Sequence, residues 1–382
     1  MELYIHIPFC RKKCNYCAFT SFPAENTDYK DYVDLLLKEA EERKNESNEP
    51  IKTVYIGGGT PSLLPPFLFT RMIDGLRMIF DLNHIEEFTI EANPGTVTRD
   101  WLYTAKASGA NRLSFGMQAF QDSLLGILGR IHSYKDVCQS ITLARETGFQ
   151  NINLDLMFGI PYQTQTLWRE TIDAALSLNP LHISAYGLIP EEGTSLYSDL
   201  ETGALSLPDP DVEREMYAYA VTKLSQNGFH RYEISNFAKE SYECMHNIGY
   251  WTQKPYIGLG LSAASMTGFH RSENGTAYVR RTNPDNMDSY RRMLASKENQ
   301  QYLEKISVCE SRFETLMLGL RMTGGVSEMY FQEMHGISLE LCYGSKLREL
   351  EDRGLLIHEN GNWRMTERGF DIQNSVLVEL ME

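Results

Sequence analysis

Residues Leu3–Phe19 read LYIHIPFCRKKCNYCAF, so an apolar run leads directly into three cysteines. The run alternates, with Leu3 and Ile5 on one face and Tyr4 and His6 on the other, which predicts a β-strand. The loop behind it carries cysteines in the spacing Cys-x3-Cys-x2-Cys. Clustered cysteines in a reducing compartment more often hold metal or perform redox work than form disulfides. The stretch therefore predicts a strand that ends at a metal or redox site.

The spacing indicates which metal centre this loop suits. A zinc site usually has four ligands in two separated pairs, and the sequence has no second Cys-x2-Cys pair. Three thiolates on one loop suit three irons of a [4Fe–4S] cube, and the fourth iron is left for an exchangeable ligand. We therefore predict Cys10, Cys14 and Cys17 as cluster ligands, with a loop of unligated cysteines as the alternative. The other cysteines are scattered, as is typical of small buried hydrophobic residues: Cys138, Cys244, Cys309 and Cys342.

Composition limits the classes of partner. The chain has 382 residues, of which 42% are hydrophobic, and its formal net charge of -15 argues against broad capture of nucleic acid or anionic lipid. No window approaches the ~18 consecutive apolar residues of a membrane helix. The first residues lack the basic start and long apolar core of a signal peptide. We expect a cytoplasmic globular protein with no integral membrane segment and no nucleic-acid partner.

Short β-like runs alternate with helical segments along the first half of the chain. The predicted strands are Leu3–Ile7, Lys52–Ile56, Glu87–Glu91, Arg112–Phe115, Asn151–Leu156 and His182–Tyr186. Between them, helix signals include Ser133 as an N-cap and Gly148 just past the end of the same helix. Six strands that alternate with helices predict a parallel α/β sheet. Because no Rossmann glycine fingerprint follows the first strand, we expect a partial (β/α)6 barrel over residues 1–206 rather than a doubly wound sheet.

The strands carry polar residues on one face, which indicates what fills the barrel. Glu91 and Thr89 share a face, and Asp155 shares a face with Asn153, while apolar residues occupy the opposite faces. Buried parallel strands are usually apolar throughout, so this alternation predicts a polar ligand in the lumen. A solvated antiparallel sheet would also alternate, but the helix-length connections disfavour it.

The remaining sequence predicts two further regions. Residues 207–304 form a connecting region that begins with a helix after Leu207–Asp211 (LPDPD). Residues 305–382 read helix, helix, hairpin, helix, with Asn360-Gly361 as a two-residue hairpin turn. This order predicts a winged-helix-like α+β domain. It holds eight Lys/Arg against thirteen Asp/Glu, so we expect a structural or partner-docking role rather than DNA binding.

The cysteine loop with Phe19 two residues after its last cysteine, CxxxCxxCxF, resembles that of the radical S-adenosylmethionine (SAM) superfamily. In that superfamily the open iron is chelated by SAM, so the resemblance implies both cofactors. Further motifs, including GGGTP and IEANP, follow strands, and barrel ligands gather at the carboxyl ends of strands. The resemblance implies the following SAM contacts: Tyr4, Gly58, Gly59, Thr60, Glu91, Gln118, Arg130 and Asp155. His6 is implied as a neighbour of the cluster and SAM.

Within the superfamily, the chain is similar to oxygen-independent coproporphyrinogen III dehydrogenase and its relatives. The shared motifs are YIHIPFC, GGGTPS, SFGMQAF and LDLMFGIP. Two departures matter. The dehydrogenase pattern has a further cysteine where this chain has Phe19, and it has a longer segment ahead of the cluster, whereas the first cysteine here is Cys10. Both departures resemble the sister branch, the HemW-type haem chaperones.

A further motif supports that branch. His246–Trp251 reads HNIGYW and matches the HNxxYW motif of the chaperones. A neutral imidazole is a common axial ligand of haem iron, and aromatic rings stack on a porphyrin face. The resemblance therefore implies that His246 binds haem, with the Cys244 thiolate as a less favoured alternative.

Three functions remain open. The resemblance favours a haem chaperone that holds a [4Fe–4S] cluster and SAM and delivers haem to respiratory haem proteins. The alternative is a dehydrogenase that decarboxylates coproporphyrinogen propionates, an activity that Phe19, the short segment ahead of Cys10 and the HNxxYW motif disfavour. A radical SAM enzyme that modifies RNA is disfavoured, because the chain is acidic and has no Lys/Arg-rich run with interleaved aromatics. The sequence makes no prediction of the oligomeric state.

Overall fold

The computed structural model describes residues 1–25, 28–46, 49–267, 275–296 and 301–381. The elements of the first half, in chain order, are β1 (Glu2–Ile7), β2 (Phe9–Cys10), β3 (Phe22–Pro23), α1 (Tyr29–Arg43), β4 (Thr53–Gly58), α2 (Pro66–Ile79), β5 (Glu87–Ala92), α3 (Arg99–Ala107), β6 (Arg112–Gln118), α4 (Asp122–Ile127), α5 (Tyr134–Glu146), β7 (Asn151–Phe158), α6 (Gln165–Ser177), β8 (His182–Gly187) and α7 (Ser195–Glu201). A short 3-10 helix, Pro61–Leu63, follows β4.

The predicted parallel sheet is confirmed. Strands β1, β4, β5, β6, β7 and β8 lie side by side in chain order, and every neighbouring pair is parallel. The apolar strand residues Leu3 and Ile5 are fully buried in one core with apolar residues of the surrounding helices. Ser133 caps α5 in a capping box with Asp136, because a hydroxyl there satisfies a backbone N–H that the helix leaves free.

The region after the barrel contributes to the same sheet at both edges. Its elements are α8 (Pro210–Gln226), β9 (His230–Arg231), β10 (Asn236–Ala238), α9 (Met245–Trp251), β11 (Tyr256–Leu259), β12 (Ala264–Met266), β13 (Thr276–Thr282), α10 (Met287–Ser296) and β14 (Tyr302–Ser307). Strand β11 pairs with β1 in parallel, and β12, β13 and β14 continue that edge antiparallel. At the other edge β10 pairs with β8. The sheet thus gains a parallel strand, β11, that the sequence did not predict; the division at residue 206 stays a prediction.

The HNxxYW motif lies on α9, at the amino-terminal end of the barrel. Glu87, the first residue of β5, accepts hydrogen bonds from the backbone N–H of Met245 and of His246 at 2.9 and 3.2 Å. The hydroxyl oxygen of Thr53, the first residue of β4, lies within hydrogen-bond distance, 2.8 Å, of Nδ1 of the His246 ring. The motif helix therefore packs at the end of the barrel opposite to the cysteine loop.

The carboxyl-terminal part forms a separate small core. Its elements are α11 (Val308–Gly319), β15 (Val326–Ser327), α12 (Glu328–His335), α13 (Leu339–Asp352), β16 (Leu356–Glu359), β17 (Asn362–Met365), α14 (Glu367–Asp371) and α15 (Gln373–Met381). The strands pair as β15-β17-β16, and the hairpin turn has positive φ at Asn360 and Gly361, as the sequence predicts. The α+β winged-helix-like prediction is confirmed. In the described parts of the chain no helix has the length and apolar character that crossing a bilayer requires.

Candidate cluster and nucleotide cavity

One cavity of about 440 Å³ opens at the carboxyl ends of the parallel strands and brings most of the predicted site residues together. Its lining includes Cys10, Cys14, Cys17, Gly58, Gly59, Glu91, Gln118, Arg130 and Asp155. These residues come from β2 and the loop after it, from the end of β4 and the residue that follows, from β5, β6 and β7, and from the turn after α4. Three of the predicted residues lie elsewhere: Thr60 lies behind Cys10, and Tyr4 and His246 do not line this cavity.

The three cysteines of the loop are free thiols, and each is partly exposed to the cavity. Two of them have polar neighbours from turns elsewhere in the barrel. The Thr60 hydroxyl donates to Cys10 Sγ at 3.7 Å, and Arg130 Nη1 donates to Cys14 Sγ at 3.5 Å. Hydrogen-bond donors next to ligand sulfurs orient the thiolates and tune an iron–sulfur centre. Such donors would support thiolates in a ligand role, against burial, which raises the pKa of the Cys10 and Cys17 thiols.

Asn93, which the sequence does not predict as a site residue, connects these two contacts. Its Oδ1 accepts from Arg130 Nη2 at 2.6 Å, and its Nδ2 donates to Thr60 Oγ1 at 2.7 Å. A continuous hydrogen-bond chain therefore runs from Cys14 through Arg130, Asn93 and Thr60 to Cys10. The signal was present in the IEANP motif, where Asn93 stands two residues after Glu91 at the end of the same strand.

Glu91 lies under the glycine run of β4. Its carboxylate accepts from the Gly58 N–H at 3.0 Å and from the Tyr55 hydroxyl at 2.8 Å. Burial raises the pKa of Glu91 to about 7, and the nearby Asp155 carboxylate adds to the rise. Gly58 has φ +103°, and a Cβ on it would lie 2.4 Å from the His6 ring. The glycine is therefore required here both by the backbone and by the packing.

Asp155 faces the cavity, as the alternation of its strand predicts. The hydroxyl of Ser114 donates to it at 3.2 Å, and Asn153 Nδ2 donates at 2.7 Å. Burial raises the pKa of Asp155, while the hydrogen bonds from Asn153 oppose the rise. Glu91 and Asp155 are thus neighbouring carboxyl groups, and both have a raised pKa. A cationic ligand in the cavity would stabilise their ionised forms.

Gln118 lies at a bulge in β6, where the register with β7 shifts. Its φ is +62°, an unusual value for a residue other than glycine, and its Oε1 accepts from the Tyr186 hydroxyl at 3.1 Å. A residue other than glycine keeps a positive φ only where the surrounding structure holds it there. Such strained residues are common at ligand sites. The bulge places the Gln118 side chain on the cavity wall.

His6 and Tyr4 form a second layer beneath the cysteine loop. His6 Nε2 lies 2.8 Å from the Thr20 carbonyl, so this nitrogen carries the proton, and Nδ1 accepts from the Tyr4 hydroxyl at 2.9 Å. Burial lowers the pKa of His6, so the ring is neutral. Tyr4 faces another cavity, which α9 and the sheet edge share.

His246 is only 1% exposed, and both of its ring nitrogens are engaged. Nδ1 lies 2.8 Å from the Thr53 hydroxyl, and Nε2 lies 3.0 Å from the Tyr250 hydroxyl. Burial lowers the pKa of His246 to about 3. In this conformation, ligation of a haem iron would require one of these hydrogen bonds to break. Cys244 is fully buried, and burial raises the pKa of its thiol, which disfavours a thiolate.

Comparison with known proteins shows the family and the fold. The sequence profile of the Radical SAM superfamily matches residues 4–175, and that of the HemN C-terminal domain matches residues 306–372. In fold, the chain is similar to a solved structure described as "Coproporphyrinogen III oxidase (HemN) from Escherichia coli is a Radical SAM enzyme", with a TM-score of 0.84 at 21% identity over 99% of this chain and 89% of the other.

Curated relatives are similar over nearly their whole length. "Heme chaperone HemW" of Bacillus subtilis (strain 168) is 38% identical over 98% of this chain and 97% of its own. The protein of the same name from Escherichia coli (strain K12) is 32% identical over 99% and 97%. "Radical S-adenosyl methionine domain-containing protein 1, mitochondrial" of Bos taurus is 31% identical over 99% of this chain and 87% of its own. The chain therefore belongs to the family of the heme chaperone HemW, within the radical SAM superfamily.

Proposed function

We propose that this protein is a haem chaperone that holds a [4Fe–4S] cluster and SAM in the barrel cavity and passes haem to respiratory haem proteins. The observation that carries the cofactor part is the convergence of Cys10, Cys14 and Cys17 with Glu91 and Asp155 on one cavity. The chaperone part is supported by the names of relatives such as the Bacillus subtilis protein, at 38% identity.

The donor set suits a cluster. Cys10, Cys14 and Cys17 are unpaired thiols on one loop that line one cavity. Across the described ranges no three His, Cys, Asp or Glu side chains converge on a single ion. A cube does not require such convergence, because each thiolate binds its own iron. When bound, the cluster would supply electrons and an open iron position for SAM.

The rest of the cavity suits SAM, whose ammonium and sulfonium groups are cationic. Glu91 and Asp155 provide carboxylates with raised pKa, and a bound cation would favour their ionised forms. Gly58 and Gly59 line the cavity with backbone alone. Arg130 would hold the SAM carboxylate only in part, because its Nη2 already donates to Asn93 and to the Gly116 carbonyl.

The dehydrogenase remains the second candidate, because the HemN structure has the same fold. At 21% identity that likeness extends to the fold alone. Phe19, which stands where the dehydrogenases have a further cysteine, lines the cavity and is 70% exposed. A phenyl ring cannot ligate iron or relay a proton, so the position favours the chaperone.

Two assays on anaerobically reconstituted protein test the proposal. Haem is titrated with and without SAM, and the loaded protein is mixed with an apo-cytochrome; we expect saturable haem binding and transfer. In parallel, the protein is incubated with coproporphyrinogen III, SAM and a reductant, and we expect no protoporphyrinogen. Sustained product formation would replace the chaperone by the dehydrogenase, and an absence of haem binding would remove the chaperone outright.

A further inference from the structure

A second cavity of about 410 Å³ lies between the sheet edge, the motif helix α9 and the first helix of the carboxyl-terminal part, α11. Its walls are mainly aromatic and apolar. They include Tyr4, Tyr250, Tyr256, Met266, Tyr278 and Leu318. Arg280 and Glu314 are its charged members. A pocket of this size with flat rings and few polar groups suits a largely apolar planar ligand.

The motif helix separates this cavity from the main one. Asn247 lines the main cavity, and Tyr250, three residues further along α9, lines the second. His246 lies behind Tyr250, with its Nε2 3.0 Å from the Tyr250 hydroxyl. Tyr250 and Tyr256 meet edge to face at 4.9 Å. The residues of the HNxxYW motif thus reach the second cavity through Tyr250.

Resting on the proposed function, we propose that this second cavity is the haem site. Tyr250 and Tyr256 would pack against the macrocycle, and aromatic contacts of this kind add to the energy of apolar burial. Met266 is a buried thioether on the wall, and methionine sulfur is an axial ligand of haem iron in cytochromes. Met266 would be the wall side chain available to the iron, and His246 lies behind the wall, next to the Tyr250 hydroxyl.

The charged members fit the carboxylates of haem. Arg280 Nη1 pairs with Glu304 at 2.9 Å, and Nη2 pairs with Glu314 at 3.0 Å. Glu304 is 44% exposed, and such an exposed pair contributes little, so a haem propionate can exchange with it. Arg280 then fixes one propionate at the rim, while the macrocycle enters between the tyrosines.

Tyr4 links this cavity to the cysteine loop. It lines the second cavity, its hydroxyl donates to His6 Nδ1 at 2.9 Å, and His6 Nε2 donates to the Thr20 carbonyl at 2.8 Å. On this proposal haem occupies the second cavity and SAM occupies the main cavity, so both would be bound at the same time. Excess SAM should not displace haem, which it would do if both used the main cavity.

The test is a haem titration of the reconstituted protein, followed by Soret absorbance. Ala264→Trp fills the second cavity and should weaken haem binding by about tenfold or more. Met266→Leu keeps the volume, and should change the Soret and visible spectrum of bound haem even where affinity is retained. Leu303→Trp is the matched control, because Leu303 is exposed on β14 and does not line the cavity.

The outcomes separate this inference from the proposed function. Weaker binding in Ala264→Trp, an altered spectrum in Met266→Leu and unchanged binding in the control support the second cavity. Wild-type affinity and spectrum in both cavity variants, or displacement of haem by SAM, overturn the site and leave the chaperone function standing. A wild-type protein that binds no haem overturns both.

Discussion

The imidazole ring of His246 stacks on the phenol ring of Tyr55, with ring centroids 5.1 Å apart and planes 28° apart. Tyr55 donates in turn to Glu91, which lines the main cavity. The motif helix is thereby coupled through Tyr55 to the carboxylate that we assign to SAM. Because the packing at this end of the barrel passes through His246, a change there should affect SAM binding as well as stability.

His246→Gln should lower the free energy of unfolding by about 1–3 kcal/mol, because an amide has both polar atoms at the end of its side chain and cannot reproduce the Nδ1 and Nε2 positions that contact Thr53 and Tyr250. We expect SAM affinity to fall as well, through Tyr55 and Glu91. Chemical denaturation and equilibrium dialysis with SAM measure the two effects. His84→Gln is the control, because His84 is exposed on the surface. A variant with altered haem spectrum but wild-type stability and SAM affinity would make His246 a ligand rather than a packing residue.

The cluster assignment predicts the behaviour of the loop cysteines. Replacing Cys10, Cys14 and Cys17 together by Ala should abolish bound iron and sulfide in anaerobically reconstituted protein, because three of the four irons lose their thiolates. Iron and sulfide analysis with visible absorbance measures the loss. Cys138→Ala is the control, since Cys138 lies on α5 outside the cavity. Retention of about four irons per chain by the triple variant would contradict the assignment.

Asn93 provides a test of the hydrogen-bond chain between the cysteines. Asn93→Ala leaves the partly buried Arg130 without one acceptor and Thr60 Oγ1 without one donor. We expect a cost of about 1–3 kcal/mol in stability and faster loss of cluster iron to a chelator. Asn83→Ala is the control, because the Asn83 amide bonds to Asp81 within its own exposed turn. Identical chelation rates for the two variants would exclude a role for the chain in holding the cluster.

The sequence predicted the six strands and the inward-facing carboxylates because both follow from short-range pattern, whereas the other cavity residues were implied by the family resemblance. Alternation along a strand assigns Asp155 and Glu91 to the lumen without any knowledge of the rest of the chain. Alternation does not predict which cavity a side chain reaches, and Tyr4, on the same face of β1 as His6, lines the second cavity. Strand β11 has four residues, and α9 is placed by contacts with Glu87 and Thr53, which lie far away in sequence. Elements that are positioned by such long-range contacts leave no pattern in the local sequence from which their position could be predicted.

Glu2 predicts a dependence of stability on pH. Glu2 is 2% exposed, and burial raises its pKa to about 8. The folded state therefore keeps the carboxyl proton at pH values where the unfolded chain, with the ordinary pKa of 4.5, has released it. Between pH 4.5 and 8 this carboxyl therefore destabilises the fold increasingly as pH rises. Glu2→Gln should remove that slope and raise the unfolding free energy at about pH 8 by at least about 1 kcal/mol. Denaturation at about pH 5.5 and about pH 8 measures the effect, with the exposed Glu41→Gln as control. An equal response of both variants would contradict the assigned protonation.

The glycine run offers a sharp contrast between two substitutions. A methyl group on Gly58 would lie 2.4 Å from the His6 ring, and the φ of +103° disfavours any side chain. Gly58→Ala should therefore push His6 away from Thr20, loosen the cysteine loop and reduce both cluster content and SAM affinity. Gly126 lies on α4, and a methyl group added to it would have no neighbouring atom within 4 Å, so Gly126→Ala should leave both properties unchanged and slightly stabilise the helix. Iron analysis and a SAM titration distinguish the two variants. Full cluster content and wild-type SAM affinity in Gly58→Ala would mean that the β4 backbone does not form the ligand wall assigned to it.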